Sequence, residues 1–134
     1  MSEKILIIDD EMSLSAVLSI RLQSAGFETH IADNGATGLA MANSNPPPDA
    51  IVLDVRMPDM DGFEVNLFLK ATPRTASIPV VFLSANVQDS ARRTALAAGA
   101  HAYLKKPYDS AEVIQTLRSA IDKRREKKAN RHAS

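Results

Sequence analysis

Cysteine is absent from the 134 residues. That excludes disulfides and thiolate metal centres, and it allows a reducing compartment without requiring one. Long hydrophobic runs are absent too, since no stretch approaches the roughly 18 apolar residues of a membrane span. The N-terminal "MSEKILIIDDE" has an apolar run too short for a secretory signal, and acids stand where a cleavage region would be. These lacks make the cytoplasm the expected location. A net charge is also missing: 16 basic side chains balance 16 acidic ones, so no overall field draws the chain to nucleic acid or an anionic membrane. The balance is uneven along the chain. From Ile121 to Ser134 six Lys or Arg stand against two acids, so that this tail carries about +4 and the rest about −4.

What is present fits one ordinary domain: 45% apolar and 24% charged residues, with length for one full core. Three short apolar runs stand out, Ile5–Ile8, Ala50–Leu53 and Ile78–Leu83. Each is nearly continuous, as strands covered on both faces must be. "FETHIA" from Phe27 and "AHAYL" from Ala100 are weaker strand candidates. Between the runs the period becomes helical. Leu14, Val17, Leu18, Leu22 and Ala25 are expected to form one apolar face of a helix that Gly26 ends. Further helices are expected over Gly35–Ala42, Phe63–Ala71 and Ser90–Ala98. A fifth opens at Asp109, with Glu112 at capping-box spacing, and runs through Val113, Leu117, Ala120 and Ile121.

The order is thus strand–helix five times, an α/β chain with right-handed crossovers and a doubly wound five-stranded parallel sheet. In such a sheet ligands sit at the carboxyl ends of the strands, where the winding reverses. Residues 1–122 would form this domain and residues 123–134 a basic helical extension.

The strand tips then share one rim. The first run ends in Asp9-Asp10-Glu11, the third strand in Asp54, the fourth in Ser84-Ala85 and the fifth in Lys105-Lys106-Pro107. Two carboxylates at ~5 Å with an effective dielectric near 20 repel by roughly 3 kcal/mol, so several together call for a cation. Oxygen ligands point to a hard divalent ion. Mg²⁺ suits them, with Ca²⁺ and Mn²⁺ left open, and no nearby His or Cys suggests zinc. A metal beside a carboxylate, a lysine and a hydroxyl is equipment for phosphoryl transfer. Asp54, alone on the central strand, is best placed to be the nucleophile and become an acyl phosphate. The other phosphoryl oxygens would fall to Lys106 and to the Ser84 hydroxyl with the Ala85 N–H.

"ILIIDDE", "IVLDVRMPDMDG", "VVFLSA" and "GAHAYLKKPY" resemble, in order and spacing, the signature segments of a known family. It is the response-regulator receiver domain of two-component signalling, of the chemotaxis-regulator kind. The resemblance covers roughly residues 3 to 122. It implies a flavodoxin-like sheet of order 2-1-3-4-5, with Asp54 as phospho-acceptor and Asp9 and Asp10 as the acidic pair that binds Mg²⁺. The main-chain carbonyl of Arg56 would be a third protein ligand to the metal. Ser84 stands where the family has Thr or Ser, Lys106 matches its lysine, and the Lys106–Pro107 bond is expected to be cis. Tyr103 resembles the aromatic that swings inward with Ser84. The implied partners are a histidine kinase or histidine phosphotransfer protein and a downstream protein on the face of the fourth helix, fifth strand and fifth helix. Dimerisation on phosphorylation is a further implication. Such a domain is not an enzyme acting on outside substrates; it catalyses only its own phosphorylation and dephosphorylation, either as a stand-alone regulator or as part of a larger one. Tyr108 departs from the family's commoner Phe, and Arg56 and Asn86 occupy variable positions that influence the phosphoryl lifetime.

Taken singly, each segment has an ordinary explanation. Asp9-Asp10 could begin a helix, Asp54 could end a strand at a turn made by Pro58 and Gly62, and Lys105-Lys106-Pro107 could be a solvated loop. Tyr103 could be core. His30, His101 and His132 show no ligand spacing. The tail could be a solvated helix extension, a docking segment or a linker, and it lacks the aromatics of a nucleic-acid binder. None of these explains why acids, hydroxyl and lysine converge. A flavin or nucleotide module would need a Gly-, Ser- or Thr-rich first loop, and Asp9-Asp10-Glu11 repels phosphate instead. A phosphatase of the haloacid dehalogenase type would need a second Asp where Glu11 stands. An interaction module without phosphorylation would not need the full residue set.

Overall fold

Aliphatic residues concentrate in five short strands: β1 (Lys4–Ile8), β2 (Glu28–Ala32), β3 (Ala50–Leu53), β4 (Val80–Ser84) and β5 (Ala102–Lys105). The helices between them are α1 (Met12–Ser24), α2 (Gly35–Ala42), α3 (Gly62–Ala71), α4 (Asp89–Ala97) and α5 (Ser110–Ala133). The computed structural model describes residues 2–86 and 88–133, with side chains to residue 130. All strand pairs are parallel and the order is β2-β1-β3-β4-β5. Ile7 lies level with Ile31 on one side and Val52 on the other, so the tips of β1 and β3 end side by side. The flavodoxin-like order is as the resemblance implies.

Because successive side chains of a strand face opposite ways, the sheet feeds two cores. Leu6, Ile8, Ile51, Leu53, Val80 and Phe82 pack with Val65 and Leu69 of α3 and Ala91 and Ala95 of α4. Ile5, Ile7, Val52, Val81 and Leu83 pack with Leu18 and Leu22 of α1 and Val113, Leu117 and Ile121 of α5. Continuous burial on both faces is why these strands read as unbroken apolar runs.

Several details differ from expectation. β4 starts at Val80 rather than Ile78, since Pro79 has no N–H for the ladder, although its carbonyl still accepts from Ile51 N at 3.0 Å. The buried stripe of α1 is Ser15, Leu18, Ser19 and Leu22. Leu14 and Val17 instead stand 38% and 50% exposed. The helix is rotated so that the Ser19 hydroxyl can meet that of Thr29 on β2 at 2.5 Å. At α5 the Asp109 carboxylate accepts from Ala111 N at 3.0 Å, a single cap. The reciprocal capping box belongs to α3, where Asp61 and Glu64 bond each other's backbone. α5 continues as one helix from the domain through the basic segment.

Candidate functional site

β3 carries Asp54 to the rim. Its N–H donates to Ile8 O at 2.9 Å, which continues the ladder past the strand's end, and its side-chain Oδ1 accepts from Val55 N at 2.9 Å. Asp54 is 6% exposed and Asp9, one residue beyond β1, is 5% exposed. Asp9 is fixed in turn, its Oδ1 taking the N–H of Glu11 at 2.9 Å. From the other side comes Lys106, whose N–H donates to Ser84 O at 2.8 Å and whose bond to Pro107 is cis. Its ammonium lies 2.9 Å from Asp9, 3.2 Å from Glu11 and 3.7 Å from Asp54. Segments 97 positions apart in the chain thus meet as an ion pair.

Burial and the neighbouring Asp9 push the Asp54 carboxyl up to about 6, against the lowering effects of Lys106 and the Val55 N–H. Burial pulls the Lys106 ammonium down, but its hydrogen bond to Asp9 and the charges of Asp54 and Asp9 outweigh this, and the net shift is upward. One cation therefore compensates the buried acids only in part.

The approach to Asp54 is an open cavity of about 640 Å³ lined by Asp10, Glu11, Arg56, Ser84, Ala85, Asn86 and Gln88 besides Asp54 and Lys106. The Ser84 hydroxyl accepts from Asn86 N at 3.1 Å. Tyr103 is buried, its ring 6.0 Å from that of Phe82, and its hydroxyl donates to Asn86 O at 2.8 Å. Asn86 thereby joins the Ser84 hydroxyl to Tyr103 through one peptide segment.

The residues proposed for the site from the sequence, Asp9, Asp10, Asp54, Arg56, Ser84, Tyr103 and Lys106, fall on this rim or against it, but not in equal roles, whereas His101 lies at the other end of the strands. Among the described residues, the carboxylate oxygens that group within 4.8 Å of one another belong to Asp9, Glu11 and Asp54. Asp10 is exposed, and its side chain lines the cavity outside that group. The part of Glu11 in holding Lys106, and of Asn86 as the bridge, had no signal in spacing, because both depend on a long-range approach. Gly62 is another such residue: its N–H donates to Val55 O at 2.6 Å, and a Cβ there would collide with the Asp54 carbonyl. Only glycine lets the start of α3 close on the strand tip.

An all-oxygen cluster around a partly compensated carboxylate suits a hard divalent cation. It also suits a carboxylate nucleophile beside a lysine and a hydroxyl that can receive phosphoryl oxygens. Sheet order and site together define a class, a doubly wound α/β protein whose acid-lined pocket sits between β1 and β3, where the winding reverses.

The profile of the response regulator receiver domain matches residues 5–118, so the chain belongs to that family. Over 118 residues it is 39% identical to the DNA-binding dual master transcriptional regulator RpaA of Synechocystis sp., covering 88% of this chain and 48% of that protein. Over 136 residues it is 38% identical to the response regulator PleD of Caulobacter vibrioides, covering 97% of this chain and 30% of that one. The structure of chemotaxis response regulator CheY4 of Vibrio cholerae superposes with a TM-score of 0.82 at 30% identity, covering 90% of this chain and 99% of that one. The chain spans less than half the length of these two curated relatives. No described helix is long and apolar enough to cross a membrane.

Proposed function

We propose that the chain takes a phosphoryl group from a phosphohistidine, on a histidine kinase or histidine phosphotransfer protein, onto Asp54. The observation that carries this is the geometry of Asp54. It is a buried carboxylate, 3.7 Å from a lysine, in the lining of a cavity of about 640 Å³. A carboxylate oxygen attacks phosphorus, and the P–N bond of the phosphohistidine breaks with its electron pair going to the ring nitrogen. Water later cleaves the acyl phosphate. The chain is thus labelled once per exchange and turns over no outside substrate.

Asp9 and Asp54, clustered with Glu11, fit Mg²⁺. With the carboxylate of Asp10, which lies outside that cluster, and the Arg56 main-chain carbonyl they would hold it, and it would supply positive charge to a phosphoryl oxygen. Lys106 neutralises a second oxygen, exchanging its contact with the acids for the new anion. The Ser84 hydroxyl serves the third, beside the Ala85 N–H. Leaving Asn86 for that bond changes the segment that holds the Tyr103 hydroxyl. Tyr103 also lines a polar cavity with Arg92 of α4 and Glu112 of α5, so the signal emerges on the α4–β5–α5 face. A downstream protein, or a second phosphorylated copy, would dock there.

The donor has a seat. Leu14, Val17, Pro107 and Tyr108 line an adjoining cavity that shares Glu11, Ala85 and Lys106 with the acid pocket. A donor protein resting on this apolar rim brings its phosphohistidine over Asp54. The same exchange would serve a free-standing regulator or the receiver segment of a longer one.

Incubation with acetyl phosphate and Mg²⁺, followed by intact-mass measurement, tests the reading. One phosphoryl group should add to the parent chain, and none to Asp54→Asn or to the parent with chelator. Equal labelling of Asp54→Asn would sink it.

A further inference from the structure

At the opposite end of the strands lies a second cavity, of about 540 Å³, between the C-terminal parts of α3 and α5 and the loops that lead into β4 and β5. Its lining includes Lys70, His101, Lys123, Arg124 and Lys127, and no carboxylate. The floor is small and apolar: Ala76, Pro79, Gly99, Ala100 and Ala120.

The cations here are under-used. Lys70 Nζ donates to Ala76 O at 3.2 Å and Ile78 O at 3.1 Å, which leaves one of its three N–H groups free for another acceptor. Arg124 reaches the Ser77 hydroxyl at 3.2 Å through one terminal nitrogen, while its Nε is enclosed without a partner. Among the described residues, neither these two nor Lys123 and Lys127 form an ion pair. Asp49 acts on Arg124 from a distance, but its carboxylate already takes the Lys4 N–H at 2.8 Å. Mutual crowding is visible in the charges themselves. Burial, then Arg124 and Lys127, hold the Lys70 ammonium below its ordinary value. Burial, then Lys123 and Lys127, do the same to His101.

We propose that this cavity binds a compact polyphosphate anion, two or three linked phosphoryl groups, between Lys123, Arg124 and Lys127 on one wall and Lys70 and His101 on the other. A single phosphate would meet fewer of these donors than the cavity offers. A nucleic-acid strand fits less well, because no Phe, Tyr or Trp lines the cavity to stack a base and the chain has no net positive charge. The site gives the first turns of the basic segment a ligand chemistry. It is independent of phosphoryl transfer at Asp54.

Titration calorimetry of the full chain in metal-free buffer, with sodium tripolyphosphate as the probe, tests the proposal. One-to-one saturable binding is expected, weakened at least roughly tenfold in the double variant Lys123→Ala/Lys127→Ala. Both positions are exposed, so the variant folds, and its labelling by acetyl phosphate should equal the parent's. Inorganic phosphate should bind at least about tenfold more weakly than tripolyphosphate. ATP without metal separates the sources: equal affinity assigns the site to the phosphate chain alone, tighter affinity to a nucleotide's phosphates. Absence of saturable binding, undiminished binding by the double variant, or loss of binding in Lys106→Met, which would place the anion at the acid end, overturns the proposal.

Discussion

Asp54 illustrates how one residue carries a cost in the resting protein that a ligand can relieve. Its carboxyl is raised from 3.8 to about 6, burial and Asp9 outweighing Lys106. Between those values the folded chain binds more protons than the unfolded chain, so stability from this group is full below about pH 4 and lost as pH rises through about 6. Asp54→Asn removes that loss. In urea melts without divalent cations the variant should exceed the parent in stability above pH 6, with the difference closing below pH 4. A difference that widens toward acid would contradict the assignment. Mg²⁺ should stabilise the parent at pH 7.5 and affect the Asn variant less. Lys106 gives the complementary case. Its side chain and that of Asp9 are 9% and 8% exposed, so Lys106→Met leaves buried acids uncompensated. A loss on the order of 3 kcal/mol is expected in metal-free melts near pH 7, partly recovered by Asp9→Asn in the same chain.

At the scale of elements, the start of α3 is the joint that matters most for the site. The Asp61–Glu64 capping box fixes where the helix begins, and Gly62 seats it on the Asp54–Val55 backbone. Asp61→Ala should cost about 1 kcal/mol in chemical denaturation and leave acetyl phosphate labelling intact. Gly62→Ala should cost about 1–3 kcal/mol through overpacking. It should also slow labelling, because the collision falls on the Asp54 carbonyl. Equal labelling rates for the two variants would show that the seat of α3 does not position the nucleophile. These joints also show what a sequence can disclose. Runs such as Ile5–Ile8 and Ala50–Leu53 announced their strands because burial on both faces leaves no polar positions. The residues at their tips followed from the chain order alone. The face of α1 did not, because the Ser19–Thr29 hydrogen bond, invisible to hydropathy, turns Leu14 and Val17 outward. Nor did the contact of Glu11 with Lys106, the Asn86 bridge to Tyr103, or the part of Asp59. The Asp59 carboxylate takes Gly35 N and Ala36 N, each at 3.0 Å, tying the start of α2 to the loop after β3 across 24 and 23 positions. Such contacts exist only once the loops are folded together.

For the molecule as a whole, the parallel sheet keeps two unlike electrostatic ends apart. Acids gather around Lys106 where β1 and β3 finish, and cations that form no ion pair among the described residues gather where β4 and β5 begin. A formal charge of zero conceals this polarity, which comes from topology rather than composition. Membership of the receiver family explains the first end, and it explains why the acid pocket lies at the reversal of winding. It also makes the placement of the proposed phosphoryl bond the central matter. Borohydride reduction of the acetyl phosphate-treated chain converts an aspartyl phosphate to homoserine, and peptide mapping then locates it. The account predicts that change at position 54 alone, and only with Mg²⁺ present during labelling. Conversion at Asp9 or Asp10 instead, or a phosphoryl group that borohydride does not remove, would contradict it.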